Sequence, residues 1–203
     1  EFPTTDVCRA VSTATRTVCS GEIIQSHQRG NLQLGQAEYL DTLRMKTGEL
    51  FALACELGAS LAGAEPRETR ALREYGMALG TAYQVYDDCL DLFGSEAEAG
   101  KSLGTDIASG KATLPVILLC EQAGPEIATQ LGQMIGRWDA DQLNILRGWL
   151  SEFNTLEQSQ SRLEALLADA RDALGELRES SHRNALEELT LFLVQQSAGL
   201  GVC

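Results

Sequence analysis

The chain has 203 residues, 44% of them hydrophobic, and its 16 lysines and arginines are outnumbered by 29 aspartates and glutamates, for a net charge of −13. That length suits one domain with a sizeable core and does not demand two. So acidic a balance disfavours nucleic acid and anionic membranes as partners, while a small anion can still bind wherever metal ions or clustered lysines invert the local field.

Helical spacing dominates, and sustained strand alternation is absent. Thr5 or Asp6 is placed to cap a first helix that carries Val7, Val11, Ala14 and Val18 on one side and runs to about Ile24. Residues 30–35 read as a loop. A second helix is predicted over 36–62, with an apolar side that includes Tyr39, Leu40, Leu43, Leu50, Phe51 and Leu53, and it ends before Pro66. A third is predicted over 67–93, stopped by Gly94. A long turn over 95–111 then leads into a buried helix opened near Pro115. Beyond Gly124 and Pro125 shorter helices are predicted at 126–137, 140–153, 156–179 and 183–196, with Trp138 and Trp149 as packing anchors. No repeat or linker interrupts the pattern, so residues 1–203 read as a single all-α domain, a layered helical bundle.

The six cysteines (Cys8, Cys19, Cys55, Cys89, Cys120 and Cys203) form no C-x-x-C pair and read as buried free thiols of a reducing cytoplasm. With only His27 and His182 beside them, a zinc site is not expected. No apolar run approaches the roughly 18–20 residues that a bilayer span needs. The first residues lack the basic-then-apolar order of a signal peptide and start abruptly without an initiator Met, which suggests a cut chain.

The densest chemistry lies over 80–115. On a helix Asp87 and Asp91 are four positions apart and share a face, Asp88 sits about 100° around, and Gln84 lies one turn before the pair. Three carboxylates this close repel one another unless a cation joins them. Magnesium suits such a set, with manganese as a substitute, because it accepts one or two carboxylates and takes its other ligands from water and phosphate. Lys101 and Lys111 sit in Gly-rich turns, where backbone N–H groups also point at anions. A diphosphate held between metal and lysine is stabilised as a leaving group. Acids on one helix also occur as a solvated face, but here Val85, Tyr86, Cys89, Leu90, Leu92 and Phe93 surround them.

In order and spacing, Gly80-x-x-Tyr83-Gln84-x-x-Asp87-Asp88-x-x-Asp91 followed by Gly100-Lys101-x-x-Gly104-x-Asp106 resembles the second aspartate-rich motif of trans-isoprenyl diphosphate synthases. Upstream, Gly21-Glu22-Ile23-Ile24-Gln25 resembles that family's Gly-Glu-x-x-Gln helix, and Lys46-Thr47 with Leu50-Phe51 resembles its Lys-Thr motif. The resemblance implies an isoprenoid-synthase-type helical bundle and a head-to-tail condensation. An allylic diphosphate ionises, the double bond of isopentenyl diphosphate attacks the cation, and a proton is lost. Carried over by position, it implies Asp87 as a magnesium ligand, with Asp88 and Asp91 binding directly or through water. Lys46 and Lys101 would grip the allylic diphosphate, with Lys111 as a further candidate. Thr47 and Gln84 would turn oxygen dipoles to the developing cation, and Gln25 would line or support the cleft. A cytoplasmic homodimer is implied as well, and the GEIIQ and KATLPVILL runs look closer to the medium- and long-chain quinone-tail enzymes than to the farnesyl type.

The departures from that family are also specific. Its first aspartate-rich motif, its Gly-Gly-Lys helix and the arginines that hold isopentenyl diphosphate have no counterpart here, and Asp87-Asp88 is the only adjacent aspartate pair. The expectation is therefore the C-terminal two-thirds of such a bundle, incomplete at its N-terminus and inactive alone. Two alternatives stand beside it. A non-catalytic partner subunit tends to carry Cys-x-x-x-Cys pairs, which this sequence lacks. A class I terpene cyclase needs a later Asn/Ser/Glu metal motif, of which residues 144–179 show no convincing match.

Overall fold

A computed structural model describes residues 5–96, 100, 102–135 and 138–201. It opens with α1 (Asp6–His27), a loop, and then one helical rod in three parts. These parts are α2 (Gln36–Leu43), a π-turn (Arg44–Gly48) and α3 (Glu49–Leu61), where the sequence predicts one uninterrupted helix. The long α4 (Pro66–Phe93) follows, then the single-turn α5 (Thr105–Ala108), which lies inside the predicted long turn. The remainder comprises α6 (Leu114–Ile135), α7 (Ala140–Glu152), α8 (Thr155–Leu174) and α9 (Ser181–Ala198). No strand occurs among the described residues, in keeping with the all-α expectation.

Local chemistry sets most of these boundaries. α4 begins on Pro66, whose fixed φ suits the first helical position, and the Glu68 side chain accepts the Glu65 N–H at 3.1 Å. At its other end Arg147 donates to the carbonyl oxygens of Leu92 (2.6 Å) and Gly94 (3.1 Å), which the helix leaves without partners. α6 is broken within its span at Gly124 (φ 78°, ψ −177°), ahead of Pro125, so the division predicted there is present. α8 stops at Leu174, short of the predicted 179. α9 starts at Ser181 because the Ser180 hydroxyl caps it, accepting the Arg183 N–H at 3.1 Å.

α4 is the axis of the core. Its Ala82, Val85, Cys89 and Leu92 meet Leu40 and Leu43 of α2, Leu114 and Ile117 of α6, and Leu163 and Leu167 of α8, all at most 1% exposed. Each such leucine contributes about 1.5–3 kcal/mol relative to leaving it in water. Trp138 and Trp149 pack half-buried against this cluster, as expected of them. The cysteines correct one expectation. The five described are free, yet Cys8 and Cys19 are exposed, because α1 buries only Ala14 and Gly21. No helix among the described residues is long and apolar enough to cross a membrane.

α3 lies unusually close on α4 because α4 offers no side chain at the crossing. A methyl group at Gly76 would lie 2.5 Å from the Phe51 carbonyl oxygen, and one at Gly80 would lie 2.7 Å from the Phe51 ring. The first obstacle is backbone and cannot swing aside. Gly76→Ala is expected to cost about 1–3 kcal/mol from overpacking, read as a lower urea midpoint with an unchanged denaturant slope.

Candidate active site

One cleft of about 330 Å³ collects most of the charged and amide side chains singled out in the sequence. Gln25 of α1, Lys46 of the π-turn, Gln84, Asp87 and Asp88 of α4, and Lys111 from the loop after α5 all line it. Thr47 reaches it through a hydrogen bond, its hydroxyl donating to Gln84 Oε1 at 2.9 Å. Asp91 is not among the lining residues and is fully buried behind the wall. Lys101 lies outside the described residues.

The π-turn explains how neighbours in sequence serve two partners. A π-turn winds more residues into each turn than an α-turn, and such turns recur at functional sites. Here Lys46 turns to α1, where its Nζ donates to Gln25 Oε1 at 3.0 Å and lies 3.8 Å from Glu22 Oε1, while Thr47 turns to α4. α1 can come this near because of Gly21, at which a Cβ would meet Lys46 N at 2.8 Å and Met45 Cβ at 2.9 Å. The Gly21–Gln25 motif thus supplies a close approach at its first position and a partner for Lys46 at its last.

The acidic wall is held from both sides. The Tyr39 hydroxyl, buried in the core, donates to Asp88 Oδ2 at 2.6 Å, and Gln84 Nε2 donates to Asp88 Oδ1 at 3.0 Å and to Asp87 Oδ2 at 3.3 Å. With its N–H groups committed to the acids, Gln84 keeps its carbonyl for Thr47. Thr47 in turn spends its proton on Gln84, so its oxygen offers only lone pairs to anything else in the cleft. Burial and the Asp88 charge push the Tyr39 phenol well above its ordinary range, so it stays a donor.

Asp106 and Tyr39 are residues that the sequence reading did not nominate. Asp106 lines the cleft and pairs with Lys111 at 2.9 Å, so part of the lysine charge is already answered. Its place in the Gly-Lys-x-x-Gly-x-Asp spacing was the available signal. For Tyr39 the signal was weaker: it stands seven residues, two helical turns, before Lys46.

Burial, and then the negative charge of Asp106, push the Asp88 acid up to about 7. Asp87 adds to the rise, while the hydrogen bonds from Tyr39 and Gln84 oppose it. Between about pH 4 and pH 7 the folded chain therefore keeps a proton that the unfolded chain has lost. The stabilisation is complete below the lower value and disappears as pH rises through the upper one. Urea unfolding is expected to show a loss on the order of 4 kcal/mol across that window that Asp88→Asn does not show.

Among the described residues no three acidic, histidine or cysteine side chains converge to cage a metal ion. What the cleft offers is a pair of adjacent carboxylates on one wall, Lys46 on another and Lys111 at the rim. That geometry suits a hard cation shared with an anionic ligand rather than a closed structural site.

The sequence pattern of polyprenyl synthetases matches residues 1–147. The short chain isoprenyl diphosphate synthase of Methanothermobacter thermautotrophicus is 30% identical over 179 residues, which are 88% of this chain and 55% of that protein. The octaprenyl diphosphate synthase of Escherichia coli is 31% identical over 193 residues, 94% of this chain and 59% of that one. Among solved structures, a polyprenyl synthase from Caulobacter crescentus, complexed with calcium and isoprenyl diphosphate, superposes with a TM-score of 0.88 at 35% identity. The match covers 94% of this chain and 59% of that chain. The chain thus spans little more than half the length of the relatives it matches.

Proposed function

The chain belongs to the polyprenyl synthetase family, and we propose that its cleft binds the diphosphate of an allylic substrate for condensation with isopentenyl diphosphate into a trans-polyprenyl diphosphate. The observation that carries this is the meeting of Lys46, Thr47, Gln84, Asp87 and Asp88, from two separate helical segments, around one cavity.

The donor set fits magnesium, or manganese in its place. Asp87 and Asp88 present hard oxygens, and the burial and carboxylate repulsion that together weaken the Asp88 acid are what a bound cation offsets. Asp87 would hold the ion, with Asp88 beside it, and the bound metal would neutralise charge on the departing diphosphate. Lys46 grips the same group as a point charge steered by Gln25, and Lys111 assists from the rim, sharing itself with Asp106. Lys101 belongs to this proposal by its place in the motif. As the allylic carbon becomes cationic, Thr47 Oγ1 and the Gln84 carbonyl face it with lone pairs, the Asp88–Gln84–Thr47 chain fixing which way each dipole points.

The whole reaction needs more than this wall. The family's first aspartate-rich motif has no counterpart in the 203 residues, so the chain alone binds the diphosphate without elongating it. Calorimetric titration with inorganic diphosphate tests the binding, which should require magnesium. Magnesium-independent binding, or none, would sink the assignment of the cleft. Efficient elongation of a labelled primer by the same chain would sink the inactivity. A homodimer in the cytoplasm is part of the proposal, and sedimentation of the purified chain checks the oligomeric state.

A further inference from the structure

The third acid of the cluster does a different job from the first two. Asp91 is 0% exposed. Its Oδ1 accepts the Thr105 N–H at 3.3 Å and the Thr105 hydroxyl at 3.0 Å, and its Oδ2 accepts the Asp106 N–H at 3.1 Å. Its backbone carbonyl accepts the Gly104 N–H at 2.8 Å. The carboxylate therefore spends itself on the first turn of α5, through charge-assisted bonds that offset its burial.

That turn is what brings Asp106 and Lys111 to the cleft. Gly104 enters it at φ 72°, where a Cβ would also press on Trp138 and Leu143 at 3.2 Å. The far end is tied by the Gly30 N–H donating to the Gly110 carbonyl at 2.7 Å, and Lys111 N–H bonds back to the Asp106 carbonyl at 2.9 Å. Of these ties only Asp91 is charged, and only Asp91 stands on the helix that carries Asp87 and Asp88.

We propose that Asp91 is a positioning residue that fixes Asp106 and Lys111 against the cleft by anchoring the 104–111 loop to α4, and gives no ligand atom to metal or diphosphate. The inference rests on the reading of the cleft as a magnesium–diphosphate site, but its structural half can be measured without ligand.

The test compares Asp91→Asn and Thr105→Val with Asp87→Asn in the 203-residue chain. Amide hydrogen exchange is followed over 102–111 in the free protein, and inorganic diphosphate is titrated at several magnesium concentrations. Asp91→Asn should speed exchange in the loop and weaken diphosphate binding about tenfold at every magnesium level, since it loses one charge-assisted anchor. Thr105→Val, which removes a single neutral donor, should do both about threefold and guards against misfolding of the first variant. Asp87→Asn should instead flatten the magnesium dependence and leave loop exchange alone. Three results would overturn the proposal: a flattened magnesium dependence in Asp91→Asn, weaker binding with unchanged loop exchange, or a loosened loop with unchanged binding. If the unaltered chain binds no diphosphate, the reading of the cleft falls by itself. Exchange then decides the anchor separately, unchanged rates overturning it and faster rates supporting it.

Discussion

Lys46→Ala is expected to weaken the proposed magnesium-dependent diphosphate binding by roughly 100-fold, the loss of about 3 kcal/mol that follows when a desolvated charge partner is removed from an anion. The lysine side chain is 19% exposed, so its attraction to the ligand is only partly screened by water. It is also already oriented, since Gln25 holds Nζ and Gly21 holds the backbone behind it. Little side-chain entropy remains to be lost on binding. Gln25→Leu should show a fraction of the effect, near tenfold, because it removes the steering and leaves the charge. Titration calorimetry of the two variants separates these contributions. Thermal stability of Lys46→Ala should stay within about 1 °C of the parent, since its partners are a neutral amide and an exposed glutamate at 3.8 Å. A Lys46→Ala chain that bound diphosphate as well as the parent would place the anion elsewhere.

Arg73→Ala is expected to be the most destabilising change outside the apolar core. Arg73 Nη2 donates to both Glu49 oxygens at 2.9 Å and Nη1 donates to Glu56 Oε2 at 2.7 Å, clamping α3 to α4 just after the π-turn. The Glu49 side chain is 10% exposed, so alanine at 73 leaves a carboxylate in a poor solvent without its arginine partner. Because the arginine itself is 35% exposed, water relieves part of the penalty, and the cost should be about 2–3 kcal/mol. For a domain of this size that lowers the melting temperature by roughly 5–10 °C. Adding Glu49→Leu to an Arg73→Met chain should recover most of the loss, because the penalty lies in the orphaned charge and not in the missing pair. Failure of the double variant to recover would locate the cost in packing instead. The clamp also bears on the cleft, since it holds the segment in which Thr47 meets Gln84.

Much of this was legible in the sequence, for stated physical reasons. Helix period and Gly or Pro stops located α1, α4 and the break at Gly124, since those signals are local. The acids, lysines and glycines of 80–115 pointed to a shared site because few other needs gather them among apolar neighbours, and Gln84, Asp87, Asp88, Asp106 and Lys111 do line one cleft. Asp91 shows where spacing runs out. Four residues from Asp87, it belongs to the same helical face, and only the fold-back of residues 104–111 turns that part of the face into interior. The π-turn left no signal either, because Arg44–Gly48 has ordinary helical composition and its hydrogen-bond shift depends on what α1 and α4 press against it. Tyr39 read as core, and it is core. Its hydroxyl, invisible to an apolar pattern, is what makes it matter to Asp88.

The π-turn has a further consequence for how this chain tolerates change in length. Its hydrogen-bonded rings hold one residue more than those of an α-helix. Removing one residue from the segment would leave α2 and α3 joined as an ordinary rod with their buried sides still aligned. Lys46 and Thr47 could then no longer face two partners at once. The segment behaves as a one-residue insertion that the bundle does without and the cleft does not, so a single-codon deletion here would separate a folded chain from a binding one.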